Sequence, residues 1–223
     1  MLKLYCDPAS TTSRPVNLFA ADAGIAVEQV LISLLAGEHL TPSFARINPN
    51  QLVPVLEHDG FLLGECSAIL KYLADLVESP TYPREQKARA RVNQWMDWFL
   101  TQFNMDYNYG CIYPYVLDTY RLSEPAESER RAWHMPRAAK RLDILDAQLG
   151  TGGPFVCGLE ISLADYLGAC FVTLGELIDF DLSPYVHVQR WISVLKALPA
   201  WDEVHAGFYG WRSALQAQAG GTA

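Results

Sequence analysis

The chain reads as a mixed α/β unit followed by an all-helical domain. Three observations carry this reading. The first eighty or so residues hold short apolar strand runs that alternate with helical periodicity, ending in a hairpin that runs straight into a helix. A proline-containing stretch, VESPTYPR from Val77 to Arg84, then interrupts the pattern. Beyond it almost every apolar pattern is helical.

The elements follow in order. Leu2 to Tyr5 is a short apolar strand, and Asp7 to Ser13 a polar loop. Pro15 opens a helical pattern of Val16, Leu18, Phe19, Ala20 and Ala23, because its φ is pre-set for a first helical turn. Gly24 is a natural helix stop. Val27 to Leu34 is rich in apolar and β-branched residues and predicts a second strand. A polar loop around His39 and a short helix near Pro42 to Arg46 come next. Val53 to Leu63 predicts a hairpin turning at Asp59-Gly60, and Glu65 to Leu76 a helix, so the order is βαβ and then ββα. Past the proline stretch, helices are expected over Glu85 to about Leu117, Glu127 to Leu149 and Ser162 to Leu177, with two more between Pro184 and Leu215. The last residues are expected to fray. No internal repeat is present.

Composition narrows the function. The 223 residues suit one large or two modest domains, and half of them are apolar, enough for a sizeable core. The net charge is −8, divided as −5 over residues 1–80 and −3 over the rest. A nucleic-acid binder needs a basic face, and neither part offers one. No apolar run of about 18 residues predicts a membrane-spanning helix, and MLKLYCDPAS does not read as a secretory signal. The five cysteines (Cys6, Cys66, Cys111, Cys157 and Cys170) are odd in number and form no CxxC. They read as reduced thiols of a cytoplasmic protein. Glu57-His58-Asp59 lacks further ligands at useful spacing, so no metal is expected. Gly150-Thr151-Gly152-Gly153 lacks the Lys-Ser/Thr of a phosphate loop.

Two patterns mark the helical part. Ser162-x-x-Asp165 is a capping box, with Ile161 placed as its hydrophobic staple. Trp95, Phe99, Phe103 and Tyr107 form an aromatic stripe at i, i+4 spacing, which core packing explains. Asn104, Asn108 and Cys111 fall on a neighbouring face, and a polar face flanked by aromatics has the character of a cleft wall.

Val53-Pro54 at the third strand, the helix start Glu65-Cys66-x-Ala68-Ile69-x-x-Tyr72-Leu73 and Ile161-Ser162-Leu163-Ala164-Asp165 together resemble the cytosolic glutathione transferase family, over nearly the whole chain. GEHLTPSFARINPNQLVPVL and YPREQKARARV are most similar to the theta class and its bacterial relatives. The resemblance implies a thioredoxin-like, glutathione-binding domain over 1–77, a linker over 78–84 and an all-α domain over 85–223 that lines a pocket for a small hydrophobic electrophile. It also implies a homodimer.

The resemblance assigns roles as well. Ser10 aligns with the serine that donates a hydrogen bond to the glutathione sulfur, and Thr11 stands beside it as a second candidate. A cis Val53-Pro54 bond would leave the backbone of Val53 to pair with the cysteinyl unit, as in strand addition. Glu65 and Cys66, at a helix N-terminus, would receive the γ-glutamyl carboxylate. The family usually has serine where Cys66 stands, and a thiol is the weaker donor. His39 matches a histidine that contacts the glycine carboxylate. Leu52 fills a place where lysine or glutamine is common, with Gln51 beside it. Asn104, Tyr107, Asn108 and Cys111 would face the electrophile, in a pocket more open than that of the theta class, whose C-terminal extension has no counterpart here. Tyr5 is a rival sulfur ligand, Cys6 a bystander and Ser13 a helix cap. Two further readings fit the same residues: a zeta-like glutathione-dependent isomerase, and a non-catalytic binding module.

Overall fold

The computed structural model describes residues 1–220. Strand β1 (Leu2–Cys6) lies between β2 (Glu28–Leu31), which it pairs in parallel, and β3 (Val55–His58), which it pairs antiparallel. Strand β4 (Phe61–Gly64) closes the sheet in the order β2-β1-β3-β4. The turn between β3 and β4 is where the sequence places it: Asp59 and Gly60 both have positive φ, 50° and 88°, as a two-residue hairpin requires. Strand β2 ends sooner than Leu34. After Ile32 pairs with Cys6, the carboxylate of Asp7 takes the N–H of Leu34, and the chain turns at Gly37.

Helices α1 (Ser13–Asp22) and α3 (Cys66–Leu76) bury their apolar stripes on this mixed sheet, with Leu4 and Leu56 meeting Leu18, Phe19, Ile69, Leu70 and Leu73. The short helix α2 (Pro42–Ala45) seats Phe44 against Val53 and Val55. The result is a thioredoxin-like domain, and its Val53-Pro54 bond is cis.

The remainder is helical. Glu85 caps α4 (Gln86–Trp98) by accepting from Lys87 and Ala88 at 2.9 and 2.6 Å. The helix expected through Leu117 is not uniform. From Phe99 to Ile112 it widens into a π-helix, then resumes as α5 (Tyr113–Val116). The aromatic stripe explains the change. In an α-helix an i, i+4 stripe drifts about 40° per step, since 3.6 residues make a turn. The wider i→i+5 turn offsets that drift. Trp95, Phe99, Phe103, Tyr107 and Cys111 therefore all stay buried on one side.

The fold continues with α6 (Glu124–Thr151), α7 (Leu163–Val172), α8 (Val186–Lys196) and α9 (Trp201–Gly220). The capping box at α7 is built as the sequence suggests. Both carboxylate oxygens of buried Asp165 are used, one by Ser162 and the other by Val156 and Trp191. After Val172 the chain tightens into a 3-10 turn (Thr173–Ile178), because Thr173 Oγ1 donates back to the carbonyl of Ala169 at 2.7 Å. Helix α9 runs to Gly220, and residues 221–223, the end of the tail expected to fray, lie outside the described residues.

Candidate active site

The site is built around the turn that joins β1 to α1. Asp7 organises it, accepting from Ala9 N–H at its carboxylate and from Ser10 N–H at its carbonyl. Ser10 then caps the turn that leads into α1. Its Oγ accepts from the N–H groups of Thr12 and Ser13 at 3.3 and 3.2 Å, while its carbonyl accepts from Arg14. Ser13, expected to be the cap, is instead buried in the first turn and accepts from Asp7 N–H. The Ser10 hydroxyl thus sits at the positive end of α1, accepts two hydrogen bonds and keeps one proton to donate.

The neighbouring groups are occupied differently. Thr11 is buried, and its Oγ1 accepts from the hydroxyl of Tyr113 at 2.9 Å. Thr12 Oγ1 lies 3.2 Å from Ser10 Oγ and donates to the carbonyl of Val53 at 3.0 Å. Tyr5 donates to the carboxylate of Glu57 at 2.8 Å, and that bond is the first cause of a raised phenol pKa. A phenol so engaged is a poor partner for a thiolate. Cys6 is buried, and burial raises its pKa.

The cis-proline corner and the start of α3 form the other side. Glu65 immediately precedes α3 with φ 65° and ψ 114°, outside the regions open to ordinary residues, and its exposed side chain makes no capping bond. Such strain costs on the order of 1–3 kcal/mol and gathers at ligand sites. Cys66 opens α3 but is 3% exposed, and burial first, then Glu65, pushes its thiol up to about 12. Gln51 has φ 55°. Leu52 turns its side chain outward at 59% exposure, and its carbonyl is held by Asn48 at 2.8 Å. His39 sits in a 3-10 turn (Glu38–Leu40), with Nδ1 buried and making no hydrogen bond among the described residues.

The helical side corrects the sequence reading. Tyr107, Asn108 and Cys111 do not line a cleft. Tyr107 is buried beneath the 3-10 turn, with its hydroxyl donating to Val172 and its ring against Phe180. Cys111 lies in the same buried stripe, and Asn108 is buried while donating to half-buried Asn104 at 3.0 Å. Tyr107 stays in the core stripe where its spacing put it, whereas Asn108 and Cys111, expected on a neighbouring face, are turned inward in the π-helix. What meets the Ser10 loop is Tyr113, clustered with half-exposed Tyr109 and Tyr120 at centroid distances of 5.0–5.4 Å. From the other direction α9 packs on the turn, with Gly207 against Pro8 and Phe208 under Arg14. A separate open cleft is lined by Asp75, Arg84, Gln86, Arg89, Ala90 and Asn93, none of which belongs to the Ser10 loop.

Comparison with known proteins gives the same picture. The family model for the glutathione S-transferase N-terminal domain matches residues 1–75, and that for the C-terminal domain matches residues 109–199. Glutathione S-transferase D7 of Drosophila melanogaster is 30% identical over 206 residues, 91% of this chain and 88% of that protein. A delta-class glutathione transferase of Nilaparvata lugens matches 97% of this chain and 99% of its own, at 31% identity and a TM-score of 0.84. A glutathione S-transferase of Pseudomonas fluorescens matches 89% and 96%, at 28% identity and a TM-score of 0.79. Fold and site together define a two-domain transferase with a thioredoxin-like half. The chain belongs to the glutathione S-transferase family, and glutathione is its co-substrate.

Proposed function

We propose that Ser10 activates the thiol of glutathione, by donating its hydroxyl proton to the sulfur as thiolate forms. The observation that carries this is the pair of hydrogen bonds that Ser10 Oγ accepts from Thr12 and Ser13 N–H, which commits the O–H to donation, at the N-terminal end of α1. A free thiol has a pKa of about 8.5, so both the donor and the helix end favour the reactive form. The thiolate attacks an electrophilic carbon of a small hydrophobic substrate, which we place against Tyr113, Tyr109 and Tyr120; the new C–S bond forms as the carbon's bond to a halide, or to the heteroatom of a strained ring, breaks and the departing atom keeps the electron pair. Thr11 is assigned to Tyr113 rather than to the sulfur, on the strength of their 2.9 Å bond.

The remaining ligand groups follow from position. The backbone of Val53, beside Pro54, pairs the cysteinyl unit. The start of α3 at Glu65 and Cys66 receives the γ-glutamyl carboxylate through backbone N–H groups. His39 and Gln51 take the glycine end, and Leu52 serves through its backbone alone.

Other features complete the proposal. The division into residues 1–77, 78–84 and 85–223 is supported by the break between α3 and α4. A homodimer is supported by exposed Phe61 and Leu62 on the edge strand β4, at 52% and 41% exposure. A cytoplasmic setting is supported by five unpaired cysteines. Among the described residues no helix is long and apolar enough to cross a membrane. We favour the theta-like and bacterial subclass on the loop motifs, with the delta class as its competitor given the likeness to the N. lugens enzyme.

The test is calorimetry of glutathione binding together with ultraviolet titration of the bound thiolate, for wild type and Ser10→Ala. Ser10→Ala is expected to bind glutathione while losing the thiolate signal, with kcat/KM down about 10²–10⁴-fold, the range of a lost proton donor or oxyanion contact. A thiolate that titrates alike in both proteins overturns the assignment.

A further inference from the structure

Thr12 joins the two halves of the site. Its Oγ1 is 3.0 Å from the carbonyl of Val53, 41 residues away, and 3.2 Å from Ser10 Oγ. A hydroxyl has a single proton. Thr12 gives its proton to Val53, so in the Ser10–Thr12 contact Ser10 is the donor. The proton assigned above to the glutathione sulfur therefore points at Thr12, while Ser10 Oγ accepts from two backbone N–H groups.

We infer that Thr12 is a positioning residue that couples peptide pairing at Val53 to the direction of the Ser10 proton. When the cysteinyl N–H of glutathione pairs with the Val53 carbonyl, it takes the place of the Thr12 hydroxyl. That hydroxyl then rotates and donates to Ser10 Oγ in place of the longer of its two backbone contacts, the 3.3 Å one from Thr12 N–H, so that Ser10 Oγ still accepts two hydrogen bonds and keeps its own proton to donate. The Ser10 proton is displaced from Thr12 and turns to the sulfur. A hydroxyl that accepts a hydrogen bond is also the stronger donor. Bound glutathione thus switches on its own activating group, and the Ser10 proton stays engaged until it arrives. This inference rests on the Ser10 assignment.

Thr12→Val keeps the shape and removes the hydroxyl, and Thr12→Ser keeps the hydroxyl. Glutathione affinity is measured by calorimetry, and the thiolate of bound glutathione by its ultraviolet absorbance across pH. In Thr12→Val the midpoint of thiolate formation is expected to rise, so that below it the thiolate fraction falls about three- to tenfold, the worth of one hydrogen bond. Affinity is expected to stay within about twofold, since Val53 keeps its peptide partner. Thr12→Ser is expected to restore the wild-type titration. Thr12→Ala serves the same measurement if the valine variant folds poorly. A titration unchanged in the hydroxyl-free variants, or one unchanged while affinity falls, reduces Thr12 to a brace and overturns the inference. Ser10→Ala run alongside separates the two ideas. Loss of thiolate there with no effect at Thr12 sinks the coupling alone, whereas thiolate that survives Ser10→Ala sinks the Ser10 assignment itself.

Discussion

The hydroxyl of Tyr113 donates to Thr11 Oγ1 at 2.9 Å, across 102 residues of sequence, and fastens the helical domain to the Ser10 loop. Burial raises the pKa of the Tyr113 phenol, so it remains a donor at neutral pH. Thr11→Val is therefore expected to leave the glutathione thiolate titration as it is in wild type. Tyr113→Phe is expected to do the same while lowering stability by about 0.5–1.5 kcal/mol, the net value of one hydrogen bond. Both are read by ultraviolet titration and urea melts. Loss of the thiolate in Thr11→Val would exchange the roles of Thr11 and Ser10.

A contact with no hydrogen bond also sets this loop. A Cβ on Gly207 would fall 2.6 Å from the Cβ of Pro8, in the turn that leads to Ser10. Pro8 is held in its ring and in a tight turn, so it cannot yield easily. Gly207→Ala is expected to push α9 and the turn apart, costing about 1–3 kcal/mol as overpacking does. Because the turn carries Ser10, kcat/KM should fall with it, although Gly207 is not among the groups assigned to glutathione. Gly210→Ala, with nothing within 4 Å of the new Cβ, should preserve kcat/KM and stability. Equal behaviour of the two variants would detach α9 from the site.

Much of this was legible because it rests on local chemistry. Asp59-Gly60 demands a hairpin turn, Ser162-x-x-Asp165 demands a cap, and both are present. The loop serine and the acidic residue before α3 were equally visible. What the sequence hid depends on distant partners. Nothing local to Thr12 points to Val53, or local to Thr11 to Tyr113. The misplaced pocket residues have another cause. An α-helical wheel sets Asn108 and Cys111 on a face beside the stripe, whereas the wider turn of the π-helix carries both inside with Tyr107. Cys66 shows a third limit. Residue type marks a weak donor at a position proposed to receive glutathione, but its 3% exposure is a product of packing.

His205 makes stability depend on pH. It is wholly buried in α9, stacked on Trp201 with ring centroids 3.8 Å apart. Its Nδ1–H donates to the Trp201 carbonyl at 2.9 Å, which leaves Nε2 as an acceptor facing Cys170 Sγ at 3.6 Å. A proton on Nε2 would be buried beside the Arg14 guanidinium, itself buried over the Phe208 ring at 3.9 Å. Burial first, then Arg14, with a smaller contribution from Lys196, brings the imidazole down to about 3. An unfolded histidine titrates near 6.5. Between these values the unfolded chain binds the extra proton, so stability rises with pH. The contribution is complete above about pH 6.5 and is lost as pH falls toward 3. Over the step from pH 7 to pH 5 the loss comes to about 2 kcal/mol. Urea melts of wild type and His205→Gln at both pH values isolate it, because glutamine does not titrate and the carboxylates are shared. His205→Gln is expected to be less stable at pH 7 but to lose about 2 kcal/mol less than wild type on going to pH 5. Equal losses in the two proteins would mean that the folded imidazole takes up its proton as readily as the unfolded one, and that Arg14 does not hold it neutral.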